Sequence, residues 1–230
     1  MLPVLEAPTY EIELPSNKEK ILFRPFLVKE HKLLMTLSDT DAKEVSRVIK
    51  QLVDVCTFNK LNVDTLPSFD IEYIFLKLRS KSISESVDLV VNCECGEKID
   101  HTINLEDLKI ENDNKIDPNV NIRDDIGVKM RYPNFEETID IADTKQYDKI
   151  FDTVSDCIEA VYDKNSYQKK ENFTSKEIKE FILNMTKEEF SKIEEFFTNL
   201  PKVVQHISAT CKKCNLTNNV RLEGIENFFV

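Results

Sequence analysis

The sequence predicts an α+β fold, and three observations lead there. Runs that alternate apolar and polar residues open the chain. Apolar residues at helical spacing fill much of the remainder. Two cysteine pairs, one near the middle and one near the end, each sit between β-prone segments. At 230 residues the chain is long enough for one large domain or two small ones, with a core that needs no staple to exist.

The elements follow in order. Residues 10–26 read as a β-hairpin, because Tyr10-Glu11-Ile12-Glu13-Leu14 alternates, a polar turn follows, and Ile21-Leu22-Phe23 returns. Residues 29–37 suit a short helix. Asp41 and Glu44 have capping-box spacing, and Val45, Val48, Ile49, Leu52, Val53 and Cys56 then lie on one helical face. Asp70 is placed to cap a helix that is apolar nearly all round (Ile71, Tyr73, Ile74, Phe75, Leu76, Leu78) and therefore central. Strands are expected at 87–92 and 98–103, around the first cysteine pair. The polar stretch 106–125 reads as a loop. Residues 126–132 suit a strand ending at Pro133, and 144–162 an amphipathic helix with Tyr147, Ile150, Phe151, Val154, Ile158 and Val161 on one face. Thr174 with Glu177, and Thr186 with Glu189, open two more helices, the second carrying Phe190, Ile193, Phe196, Phe197 and Leu200 up to Pro201. Strands at 203–210 and 218–222 enclose the second cysteine pair. The expected organisation is a core of 1–105 with 200–230, carrying a mainly helical insertion at 106–199. No repeat of solenoid length is visible, although the two cysteine hairpins form a crude pair.

Composition excludes several function classes. The three glycines, Gly96, Gly127 and Gly224, form no phosphate-cradling loop. A net charge of −11 with no run of Lys and Arg argues against nucleic acid as a partner. No stretch approaches the roughly 20 apolar residues of a membrane span. The opening MLPVLEAPTYEIEL lacks the basic start and apolar stretch of a signal peptide, so a cytoplasmic setting with reduced cysteines is expected.

The six cysteines are of two kinds. Cys56 and Cys157 lie on apolar helix faces, as small buried hydrophobes do. The others occur as Cys93-Glu94-Cys95-Gly96 and Cys211-Lys212-Lys213-Cys214-Asn215. A metal knuckle needs a tight turn that aims its thiolates inward, and Gly or Asn after the second cysteine tolerates the left-handed backbone this requires. Cys93, Cys95, Cys211 and Cys214 are therefore the expected ligands of one structural zinc ion, held between two β-hairpin knuckles in a closed four-cysteine site. The first pair is one residue short of the usual Cys-x-x-Cys spacing. A redox pair is the rival reading, but Asn-Leu-Thr-Asn-Asn after Cys214 is a poor helix start for a thioredoxin-like motif. His101 and His206, in strand-like runs, are expected to be solvated rather than substitute ligands.

No Ser-His-Asp, His-Glu-x-x-His or catalytic-cysteine signature is present, so an enzyme is not expected. Asp70, Glu72 and Arg79, on a helix expected to be buried, fit an ion-pair network or a subunit contact better than chemistry.

Two segments carry a family pattern: Phe23-Arg24-Pro25-Phe26 with the following Val28-Lys29-Glu30-His31-Lys32-Leu33-Leu34, and residues 66–82, of which Phe69-Asp70-Ile71-Glu72-Tyr73 through Arg79 is the most specific piece. With the cysteine pair downstream, they resemble the baseplate proteins of T-even-type contractile-tailed bacteriophages, which include a hub subunit and a hub assembly chaperone. The resemblance covers residues 20–105 and resumes near the C-terminus, at Phe196-Phe197, Leu200-Pro201, the second cysteine pair and residues 222–229. It implies a structural component of a tail baseplate hub, with a transient assembly chaperone absent from the virion as the alternative. The implied partners are other hub or wedge proteins, and the implied settings are the host cytoplasm during assembly and the virion tail. Phe26, Phe228 and Phe229 are the candidate partner contacts. For the apolar tail 225–230, packing on the chain's own core stands as an equal alternative.

Overall fold

The computed structural model describes residues 3, 5–35, 37, 41–112, 116–142 and 147–225. In chain order the elements are β1 (Tyr10–Glu13), β2 (Lys20–Phe23), α1 (Val28–Met35), α2 (Ala42–Cys56), α3 (Ser68–Ser82), β3 (Ser86–Asn92), β4 (Lys98–Asn104), β5 (Lys109–Glu111), β6 (Asn119–Arg123), β7 (Ile126–Met130), α4 (Phe135–Ala142), α5 (Tyr147–Cys157), β8 (Ile158–Tyr162), β9 (Tyr167–Lys169), α6 (Ser175–Leu183), α7 (Lys187–Thr198), β10 (Lys202–Thr210) and β11 (Thr217–Glu223). Helices with small antiparallel sheets make the fold α+β, as the sequence predicts. The chain divides into two compact units, Met1–Asp113 with Pro201–Val230, and Asn114–Leu200.

In the first unit β1 and β2 pair antiparallel, Tyr10 opposite Phe23 and Glu13 opposite Lys20. Period-two alternation buries Ile21 and Phe23 and leaves Leu22 exposed. The Asp41 side chain caps α2 by accepting the Glu44 N–H, and Val48, Ile49, Leu52, Val53 and Cys56 form its buried face. Helix α2 packs on α3, where Phe69, Ile71, Ile74, Phe75, Leu76 and Leu78 are all buried.

Asp70 does not cap α3. Pro67 holds that place without a side-chain bond, and Asp70 lies inside the first turn, fully buried. Its carboxylate accepts the Ser16 N–H at 3.0 Å and the Ser16 hydroxyl, both from the turn of the first hairpin. A buried carboxylate without donors is costly, and the turn supplies them. Strands β3 and β4 form a second hairpin, and β10 lies between β11 and β5 in a third sheet.

The second unit holds the sheet β6-β7-β8-β9 as well as its helices. Two expectations are corrected here. The stretch 106–125 is not all loop, because β5 and β6 lie within it. The helix expected at 144–162 ends at Cys157, and Ile158–Tyr162 turns into strand beside β7. The reason is tertiary: Ile158 and Ala160 alternate inward against β7, and hydrogen bonding to a neighbouring strand outweighs the helical spacing of Ile158 and Val161. Gly127 is required where it stands, since an added Cβ would collide with the ring of Tyr162, its cross-strand neighbour. Thr174 and Thr186 both form complete capping boxes, with Glu177 and Glu189. Val128, Met130, Val154, Cys157, Ile158, Ile178, Ile182, Ile193 and Phe196 belong to the buried core of this unit.

Candidate metal centre

The two cysteine hairpins close in the same way although one is a residue shorter. In the first, the Cys93 N–H donates to the Glu97 carbonyl at 2.8 Å and the Gly96 N–H to the Cys93 carbonyl at 2.9 Å. In the second, the Cys211 N–H donates to the Leu216 carbonyl at 2.8 Å and the Asn215 N–H to the Cys211 carbonyl at 2.9 Å. Gly96 (φ +82°) and Asn215 (φ +60°) take the left-handed conformation that reverses each turn.

These turns bring four sulfurs together. The Sγ atoms of Cys93, Cys95, Cys211 and Cys214 all lie within 4.8 Å of one another, Cys93 to Cys214 at 3.5 Å and Cys95 to Cys211 at 3.7 Å. A disulfide would need about 2 Å. The edge of a tetrahedron with metal–sulfur bonds of about 2.3 Å is about 3.8 Å, close to both separations. Cys93 and Cys211 are buried, Cys95 and Cys214 exposed. Four close thiols could bind a metal ion, and an all-sulfur set suits a soft or borderline cation such as zinc.

The electrostatics point the same way. The Cys95 backbone N–H, opposed by desolvation and helped by the Asn218 side chain, brings the Cys93 thiol down to about 6. The Leu216 N–H also favours a thiolate at Cys214, yet the thiol of Cys93 and burial push Cys214 up to about 12. One thiol of the set ionises readily and its neighbour resists, because like charges cannot gather without a cation.

The remaining predicted residues separate from this cluster. His101, half-buried, faces Leu89 across the β3–β4 hairpin. His206 is an exposed residue of β10 with Nε2 2.6 Å from a Glu111 carboxylate oxygen, and Arg221 contacts the same carboxylate at 2.7 Å. Cys56 and Cys157 are fully buried, and desolvation pushes their thiols up to about 11 and about 12. Glu72 accepts from the Ser68 hydroxyl at 2.8 Å, and burial lowers the pKa of Arg79. The Phe26 ring is half-buried with its centroid 5.9 Å from that of Phe75, and its N–H donates to the Ser82 hydroxyl at 2.8 Å. Phe228 and Phe229 lie outside the described residues.

Sequence reasoning missed two polar features. Glu106 accepts from Lys77 at 2.8 Å and from the Ser80 hydroxyl at 2.6 Å. Desolvation would raise its carboxyl, but these donors, with Lys81, outweigh it and bring the group to about 2. Its donors lie 25 to 29 residues earlier, a separation that carries no local signal. Arginine–glutamate pairs at Arg24 with Glu30 and Arg131 with Glu137 are also ordered; their common six-residue spacing is legible in sequence, but only once the structure shows its use.

Among the described residues, no helix is long and apolar enough to cross a membrane. A family model described as "T4 bacteriophage base plate protein" matches residues 7–230, nearly the whole chain. No curated protein and no solved structure matches.

Proposed function

The chain belongs to the T4 bacteriophage base plate protein family, and from that premise we propose that it is a structural component of the baseplate hub. It works by protein–protein contacts with other hub or wedge proteins, after assembly in the host cytoplasm, and carries no catalytic activity. The family supports the non-catalytic part, and the thiol cluster fits it: four protein sulfurs around one ion would leave no open position there for water or substrate. We assign zinc to this cluster, with Cys93, Cys95, Cys211 and Cys214 as ligands. The ion joins cysteine pairs separated by 115 residues, 96 through 210, and so closes a long excursion of the chain.

Two measurements test the reading. Purified protein is expected to contain zinc, and the four clustered thiols should react with a thiol reagent only after denaturation. Metal-free protein with freely titrating thiols would reject the assignment. Quantitative proteomics of mature virions should find the chain at fixed copy number. Its presence in infected cells together with absence from virions would replace the hub component by a transient assembly chaperone. Deleting residues 226–230 tests the apolar tail and is expected to weaken co-purification with hub proteins. Undiminished co-purification would reject the tail as a contact.

A further inference from the structure

One site in each unit is built on the same hydrogen bonds. Arg24 directly follows β2 and Arg131 directly follows β7, in both cases after the second strand of an antiparallel hairpin. Arg24 donates to the Pro25 carbonyl at 2.9 Å and to the two carboxylate oxygens of Glu30 at 3.4 and 3.0 Å. Arg131 donates to the Tyr132 carbonyl at 3.0 Å and to those of Glu137 at 2.8 and 2.6 Å. Each glutamate also accepts the backbone N–H three residues before it, from Leu27 at 2.6 Å and from Asn134 at 2.8 Å. The arginine backbone N–H then donates to the carbonyl of a buried cysteine that ends a later helix: Arg24 to Cys56 at 3.0 Å, Arg131 to Cys157 at 2.8 Å.

The surroundings keep the same order. Ile21 and Phe23 are buried before Arg24, as Val128 and Met130 are before Arg131. Helices α1 and α4 each begin four residues after the arginine, and each spans 8 residues. Later, α3 and α7 are each followed by a cysteine hairpin, and both hairpins close with the same two backbone bonds. Helix entry alone explains a glutamate that accepts a backbone N–H, since this is an ordinary capping arrangement. It does not call for an arginine six residues upstream, nor for that arginine to bond the cysteine that ends the second helix after it.

We infer that residues 10–104 and 119–223 are two copies of one module, fused in tandem: hairpin, arginine–glutamate clamp, short helix, helix ending in a buried cysteine, further helix, cysteine hairpin. We further infer that the four-thiol site, read as a metal site above, is the internal two-fold junction between the copies. The sulfur pairing carries the second step. Sulfur contacts cross reciprocally between the hairpins, first cysteine of one to second of the other, Cys93 to Cys214 at 3.5 Å and Cys211 to Cys95 at 3.7 Å. The first cysteine of each is buried and the second exposed. Contact of i with j answered by contact of j with i is the signature of an isologous junction. The copies differ chiefly in β8, β9 and α6, which the second has where the first runs from α2 to α3 through residues 57–67. One chain thus supplies both halves of a site that would otherwise need two subunits, and it binds one ion.

The test uses the full chain and its four single Cys→Ser variants, with zinc affinity read by competition against a chromogenic chelator. The expected result is one zinc per chain and a pattern sorted by position within the hairpin. Cys93→Ser should match Cys211→Ser, and Cys95→Ser should match Cys214→Ser, with the buried pair losing about tenfold more affinity. Losses sorted by hairpin instead, Cys93 with Cys95 and Cys211 with Cys214, would overturn the two-fold junction. So would zinc shared between chains. A chain that binds no zinc would sink the metal reading and the junction with it, and the module copies are then decided separately by amide hydrogen exchange. In Glu30→Gln the amides of Arg24 and Leu27 should exchange about tenfold faster, and in Glu137→Gln those of Arg131 and Asn134 by a similar factor. Acceleration at one clamp and not the other would overturn the copies themselves.

Discussion

The clamp at Arg24 and the clamp at Arg131 share their hydrogen bonds but not their surroundings. The first is drier: the Arg24 and Glu30 side chains are 13% and 5% exposed, against 34% and 17% for Arg131 and Glu137. Phe26 packs on Phe75 beside the first clamp and Val28 is left exposed, whereas Phe135, at the position corresponding to Val28, is buried beside the second. The proline moves as well, directly after Arg24 but two residues after Arg131. What persists is the polar skeleton that fixes the backbone at the entry to a short helix. The apolar packing around it has been rebuilt. Hydrogen bonds impose direction and spacing, while hydrophobic contact asks only for volume, so the polar bonds can stay constant while their setting changes.

The largest effect should separate the two units rather than the clamps. If the thiols hold the proposed ion, its chelation, or the double change Cys95→Ser with Cys214→Ser, should remove a link of the kind that contributes about 10 kcal/mol or more in small zinc modules. Hydrogen-exchange protection should collapse in β3, β4, β10 and β11 and persist in β6, β7 and β8. Equal loss in both units would show that the effect is not confined to the unit that carries the thiols.

Next come the clamps. Removing one partner of a buried ion pair costs about 3–5 kcal/mol, so Glu30→Ala should lower stability by that amount and Glu137→Ala by about half, since its pair is wetter. Denaturant midpoints would measure both. Equal losses would mean that hydration is not what distinguishes the clamps.

A pH series sharpens the contrast. Burial raises Glu30 and Glu137, but their arginines and the backbone N–H donors hold both below the ordinary carboxylate value of 4.5. Their contribution is complete above that value and is lost as pH falls through it toward their lower folded values. Asp70 has the opposite sign. Burial raises it from 3.8 to about 6 despite its bonds from Ser16, so between those values the folded chain holds a proton that the unfolded chain has released. Its contribution therefore declines as pH rises from about 4 to about 6, by about 3 kcal/mol at most. Asp70→Asn should remove that decline and leave the acid loss from Glu30 and Glu137 in place. A variant whose stability falls between pH 4 and 6 as steeply as the parent's would refute the assignment.

The smallest effects concern the second unit's capping boxes. Thr174→Ala and Thr186→Ala should each cost about 1 kcal/mol. Glu189 also binds Arg123, which with the Thr186 N–H brings its carboxyl to about 2. Glu189→Ala should therefore cost more than Thr186→Ala, and equal costs would leave Arg123 without a stabilising part.

Much of the candidate site is legible in the sequence. Cys93, Cys95, Cys211 and Cys214 stand out as a thiol cluster because they come in short-range pairs with Gly or Asn behind them, a pattern that suits a metal, and that spacing is local. The first hairpin, α2, α6, α7 and their caps were legible for the same reason, since periodicity and capping act over three or four residues. That the two cysteine pairs meet is a matter of tertiary structure, because 115 residues lie between them. The strand at Ile158–Tyr162 could not be read for a related reason: Ile158 and Val161 fit helical spacing, and only pairing with β7 favours strand. Asp70 has the sequence position of a cap, but Ser16, 54 residues away, holds it. The sequence by itself determined the α+β class, the helix starts and the identity of the thiols, all set by neighbours along the chain. Only the tertiary structure decided which pairs meet, where buried charge finds its donors, and that a six-residue Arg–Glu spacing is a clamp built twice, since spacing along the chain does not say which hydrogen bonds form across space.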